Sequence, residues 1–241
     1  MRMPDLIYPA DGGVVKGYLS VPGQAGTDAP AGRWPGVVVI HEIFGLTDSI
    51  RQHADRLAGA GYLAFAPDLY AGKSWVRCVR GAIGQVRSGS GPAFTALEAA
   101  RAWLASRPDC SGRTGVIGFC LGGGFALLCA PRDGFAAASV NYGDVPADAE
   151  AVLDGACPVV ASFGARDPMG VKPPERLEKA LTALGVPHDV KVYPGAGHRF
   201  MTKTSGAMAP LASFARIGYD EDAAEDSWRR ILGFFGSHLR S

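Results

Sequence analysis

The chain predicts an α/β fold with a mostly parallel central sheet and helices on both faces. Two observations carry this expectation. Short apolar, β-branched runs alternate with amphipathic stretches along nearly the whole sequence, the pattern of repeated strand–helix units. Several of the apolar runs also lack polar alternation, as strands covered on both faces do. With 241 residues and 47% hydrophobic composition, the chain can bury a substantial core. No linker, repeat or low-complexity tract divides it, so residues 1–241 are expected to form one domain.

The elements follow in order. "VVKGYLSVP" at the start reads as an antiparallel edge strand. "GVVVIHEIF", Gly36 to Phe44, reads as a buried strand running into a loop. "TDSIRQHADRLAGAG" predicts a helix: Thr47 or Asp48 can cap it, and Ile50, Ala54, Leu57 and Ala58 share one face. Gly59 and Gly61 end it. "YLAFAPDLY" is a strand, Ala93–Ser106 a helix, "TGVIGF" a strand and Leu121–Ala130 a helix. "AAASVNYG" and "CPVVASFGARD" are two further strands, and Glu175–Leu184 is a helix. "HDVKVY" alternates with period two, as a strand does. Trp228, Ile231, Leu232, Phe235 and Leu239 form the apolar stripe of a C-terminal helix. Asp220, Glu221, Asp222 and Glu225 lie near its start, where the helix dipole favours negative charge. Two stretches read as basic loops without an acid: Ala71–Pro92, with Lys73, Arg77, Arg80 and Arg87, and Arg199–Gly218, with Arg199, Lys203 and Arg216.

Composition narrows the function. Lys+Arg 24 against Asp+Glu 23 gives a net charge of +1, which points to neither nucleic acid nor an anionic membrane as partner. The N-terminus lacks the features of a secretory signal. The long uncharged stretch Thr114–Pro131 contains five glycines and begins as a strand, so it does not read as a membrane span. Five cysteines without metal or redox spacing suit reduced thiols in a cytoplasmic protein. The expected partner is a small-molecule substrate, and the expected state a monomer or weak oligomer.

The chemistry centres on Gly118-Phe119-Cys120-Leu121-Gly122, where a strand turns abruptly into a helix. Glycines two residues before and after the turn remove Cβ atoms that would clash, and the tight turn lifts the central side chain clear of the sheet. Cys120 is therefore a candidate nucleophile, and the positive end of the following helix favours its thiolate. A nucleophile needs a base, and the base an orienting acid. Asp167 lies just past one later strand and His198 just past the next, in the chain order nucleophile, acid, histidine. Asp144, also past a strand, is the alternative acid. His53 and His188 fall within or before regular elements and His238 near the C-terminus, while His41 at a strand end reads as a pocket or packing residue.

With "HEIFGL", "APDLY", "GFCLGG", "GARDP" and "PGAGHRF" spread across nearly the whole chain, the sequence resembles the dienelactone hydrolase family. The resemblance implies an α/β-hydrolase fold, Cys120 as nucleophile, His198 as base and Asp167 as its orienter. It also implies an oxyanion hole from the backbone N–H groups of Ile43 and Leu121, and a Glu42 that contacts the resting thiol and assists its ionisation. The implied reaction opens a small enol-lactone bearing a carboxylate, with no metal or organic cofactor; a broader ester or thioester hydrolase is the alternative. In the family an arginine four residues after the histidine helps to hold the substrate carboxylate, and here that position is Thr202. Arg77, Arg80 and Arg199, with Phe44 in the neighbouring loop, are the candidate substrate-binding residues.

Overall fold

The computed structural model describes residues 6–10, 13–23, 32–71, 74–168, 174–203 and 218–240. An eight-stranded sheet runs in the order β1-β2-β4-β3-β5-β6-β7-β8. The strands are β1 (Leu6–Ala10), β2 (Gly13–Ser20), β3 (Trp34–Ile40), β4 (Leu63–Pro67), β5 (Cys110–Phe119), β6 (Phe135–Asn141), β7 (Val159–Gly164) and β8 (His188–Tyr193). β1–β2 and β2–β4 pair antiparallel. All remaining pairs are parallel.

The opening strand was expected at the sheet edge. It is instead second in the sheet, because β1 pairs with its outer side and becomes the edge. The larger correction concerns the first basic stretch. Residues Trp75–Ser88 form a helix, α2, closed by Gly89 in the left-handed conformation. Only Ala82 of this helix is fully buried: its apolar residues Trp75, Val79, Ala82, Ile83 and Val86 recur at helical spacing but are only partly covered, and Gly81 and Gly84 weaken the helical signal in the sequence. Lys73 and residues 204–217 of the second basic stretch lie outside the described residues.

The other helices are α1 (Asp48–Gly59), α3 (Pro92–Ser106), α4 (Leu121–Cys129), α5 (Ala149–Val152), α6 (Pro174–Ala183) and α7 (Glu221–Leu239). They cover the sheet from both sides. Val38 and Ile40 of β3 pack into a core with Phe94, Leu97 and Leu104 of α3 and with α4. Val37 and Val39 face the opposite core, with Ile50, Ala54 and Leu57 of α1 and Trp228, Ile231 and Phe235 of α7. The strand is apolar on both faces because both are covered. Asp220 caps α7, its carboxylate accepting from the Ala223 N–H at 3.1 Å. All five cysteines are free. Among the described residues no helix is long and apolar enough to cross a membrane.

Candidate active site

The parallel strands all end on one side, and the loops beyond β3, β5, β7 and β8 meet there. This is where an open α/β sheet gathers its ligand-binding groups. At the end of β5 the chain turns through Cys120, whose φ of 55° lies in the left-handed region. A non-glycine residue held there marks local strain maintained by its surroundings. The Cys120 N–H donates to the Asn141 carbonyl at 3.0 Å, and its carbonyl accepts from Gly123 N–H at 2.8 Å. The flanking glycines are steric requirements. A Cβ on Gly118 would sit 1.9 Å from the Gly122 carbonyl oxygen, and one on Gly122 would sit 2.4 Å from that of Ile40. That second contact also presses the elbow against the loop that follows β3.

His198 joins the elbow to the end of β7. Its Nε2 lies 3.1 Å from Cys120 Sγ and its Nδ1 lies 2.6 Å from Asp167 Oδ2. The His198 and Asp167 side chains are only 6% and 3% exposed, so water competes little for these bonds. Burial alone would lower the imidazole pKa. The hydrogen bonds to Asp167 and Cys120 outweigh burial and raise it to about 9. Tyr142, just past β6, stands edge-on to the imidazole with centroids 5.3 Å apart. Asp144 stands apart from this chain: it is exposed and caps the Val145 N–H. Such an arrangement can pass a proton from thiol to imidazole and hold the imidazolium against a carboxylate.

Glu42 lies in the loop after β3 and is 1% exposed. Among the described residues its carboxylate bonds only Arg199 and Thr202. Arg199 Nε donates to both oxygens at 3.0 Å and Nη2 to Oε2 at 2.7 Å. The Thr202 hydroxyl lies 3.4 Å from Oε1. Family resemblance implied that Glu42 faces the thiol; here its carboxylate faces Arg199, which follows His198 directly and has φ 59°. Thr202 is fully buried, with its hydroxyl also 3.0 Å from Tyr142 Oη and 3.4 Å from His53 Nε2.

The remaining candidates are dispersed. Phe44 is 49% exposed, and its ring lies 5.0 Å from the Arg199 guanidinium carbon. Arg77 borders a cavity of about 460 Å³ that also touches Leu121, Tyr70 and Lys16. Arg80 is exposed on α2. Ile43 and Leu121 N–H donate to no partner among the described residues. Tyr142, Thr202 and His53 form a polar cluster that sequence reading did not assemble. Its one legible signal was Tyr142 following a strand end.

The strand order, the elbow and the loops that meet above it define an α/β-hydrolase. Residues 16–239 match the model of the dienelactone hydrolase family, and the chain belongs to that family. It is accordingly a hydrolase of ester or lactone bonds. Two proteins each named "Putative carboxymethylenebutenolidase" are similar to it. The one from Salmonella typhimurium is 29% identical, over 98% of this chain and 92% of its own length. The one from Methylorubrum extorquens is 30% identical, over 94% of this chain and 78% of its own. The crystal structure of a dienelactone hydrolase from Anabaena variabilis shares the fold, with TM-score 0.71, 20% identity and coverage of 98% and 97% of the two chains.

Proposed function

We propose that the chain opens a small, carboxylate-bearing enol-lactone of the dienelactone type through a cysteine acyl-enzyme. The observation that carries the reading is the unbroken hydrogen-bonded line Cys120–His198–Asp167 on the strained elbow. His198 takes the thiol proton, and Asp167 holds the resulting imidazolium. The thiolate then attacks the lactone carbonyl, and the oxyanion sits between the N–H groups of Ile43 and Leu121. Collapse breaks the ring C–O bond and expels an enolate, which leaves readily and takes its proton from the imidazolium. Water, deprotonated by His198, hydrolyses the thioester and releases a dicarboxylate such as maleylacetate. Each oxyanion donor is worth about 3–4 kcal/mol of barrier. Five unpaired cysteines support a cytoplasmic setting.

The substrate carboxylate needs a cation, and Arg199 is already paired with Glu42. Among the described residues, Arg77 and Lys16 are the cations on the wall of the cavity next to Leu121, and we assign them to receive it. The inward-turned Thr202 favours a second reading, a broader ester or thioester hydrolase with the same machinery. Steady-state hydrolysis of cis- and trans-dienelactone beside p-nitrophenyl acetate separates them. The first reading expects the lactones to have the higher kcat/KM, weakened by salt and by Arg77→Ala. Equal or better turnover of the neutral ester, insensitive to salt, overturns it in favour of the second.

A further inference from the structure

The loop carrying Ile43 is fastened by side chains that take no part in the proton relay. The Glu42 carbonyl accepts from Gly45 N–H at 3.1 Å and from His41 Nδ1 at 2.7 Å. That carbonyl belongs to the same peptide unit as the Ile43 N–H. In a planar trans peptide the C=O and N–H point in opposite directions, so whatever holds one aims the other. The next peptide is also held: the Ile43 carbonyl accepts from the Trp75 indole N–H at 2.9 Å. Both peptide planes around the Ile43 Cα are therefore fixed from outside.

His41 is 3% exposed, and its bonds define its proton state. Its Nε2 accepts from the Leu69 N–H at 3.2 Å, so that nitrogen carries no proton. A carbonyl can only accept, so Nδ1 must donate to Glu42. Only the neutral Nδ1–H tautomer satisfies both, and burial lowers the pKa in the same direction. The Tyr70 ring stands edge-on at 4.7 Å and leaves the imidazole little freedom to turn. His41 thus ties the loop after β3 to the chain just past β4.

We infer that His41 is a positioning residue that aims the Ile43 N–H at the developing oxyanion, with Trp75 as a second clamp on the same loop. The inference rests on the proposed role of Ile43 as an oxyanion donor. A donor of this kind works because it needs no reorganisation during reaction, and deleting one outright lowers kcat by about 10²–10³. Loosening its peptide forfeits part of that.

The test uses the whole protein and two readouts. Ester hydrolysis needs both thiolate and oxyanion hole, whereas alkylation of Cys120 by iodoacetamide needs the thiolate alone. His41→Phe keeps a ring but no hydrogen bonds; its kcat should fall by about 10–100-fold with little change in KM and an alkylation rate close to wild type. His41→Asn can still donate from the Nδ1 position and should retain most of the activity. Trp75→Phe, at a half-exposed position where the core is not disturbed, should show a smaller fall of the same kind. A wild-type kcat in His41→Phe overturns the inference while the proposed function stands, provided Cys120→Ala is inactive. Parallel losses of alkylation and hydrolysis overturn it too, since they mean that His41 acts on the thiol or the fold. If hydrolysis persists in Cys120→Ala, the proposed function falls first.

Discussion

Replacing Arg199 by Met keeps most of the aliphatic stem and removes the guanidinium, stranding the Glu42 carboxylate in a site where that residue is 1% exposed. Three hydrogen bonds of 2.7–3.0 Å are lost, and among the described residues only the Thr202 hydroxyl at 3.4 Å remains. Two unit charges about 4 Å apart interact by about 4 kcal/mol at an effective dielectric near 20. Breaking a buried pair by removing one partner costs about 3–5 kcal/mol. The Arg199 side chain is 15% exposed, which lets some water approach and favours the lower end, about 3 kcal/mol. In a chain of this size that lowers Tm by roughly 6–12 °C. Removing both charges, as in the Arg199→Met/Glu42→Gln double variant, should recover most of the loss, because no unpaired charge is left buried. Urea unfolding followed by tryptophan fluorescence at neutral pH, run on both single variants and the double, gives the coupling directly. An Arg199→Met protein within about 0.5 kcal/mol of wild type, or a double variant no better than Arg199→Met, would refute the reasoning.

Two further outcomes follow from the buried imidazoles. With a His198 pKa of about 9 the imidazolium that protonates the leaving group in acylation is present at neutral pH and lost above it, so kcat/KM should fall as pH rises through about 9. Asp167→Asn removes a principal raising influence; the falling limb of the pH–kcat/KM profile should move toward neutrality, and an unmoved limb would count against the assigned pair. His53 is the opposite case, depressed to about 3 by burial and, less strongly, by the charges of Arg56 and Arg199. Below its unfolded pKa of about 6.5 the unfolded chain takes up a proton that the folded one refuses, so stability falls with acid, by about 2 kcal/mol at pH 5. His53→Phe, which keeps the stack on Phe119, should flatten that acid limb in urea titrations at pH 7 and pH 5.

Much of the fold was written in local pattern. The α1 face of Ile50, Ala54, Leu57 and Ala58 is buried as its spacing requires, and "HDVKVY" forms β8 residue for residue. The elbow was legible because its glycines answer a steric demand that any such turn makes. Asp167 and His198 were legible because each follows a strand that had to end on the same side of the sheet. What stayed hidden depended on tertiary contact. In α2, Gly81 and Gly84 weaken the helical signal, and the apolar face of Trp75, Val79, Ala82, Ile83 and Val86 is only partly covered, so it marks no core helix. The pairing of Glu42 with Arg199 joins two loops far apart in sequence and depends on the left-handed backbone at Arg199, which no neighbouring residue type announces. The clamp on Ile43 was invisible for the same reason: His41 and Trp75 act on backbone carbonyls, which carry no side-chain signature.

In the proposed reaction Cys120 carries the acyl group. Rapid quenching of the reaction with p-nitrophenyl acetate, followed by peptide mass spectrometry, tests it most directly. One added acetyl group is expected on the peptide bearing Cys120, formed before steady state, and absent from Cys120→Ala together with turnover. Any thioester formed by His198→Ala should persist, since its hydrolysis needs the base. Acetyl found on another residue, or undiminished turnover in Cys120→Ala, would contradict it.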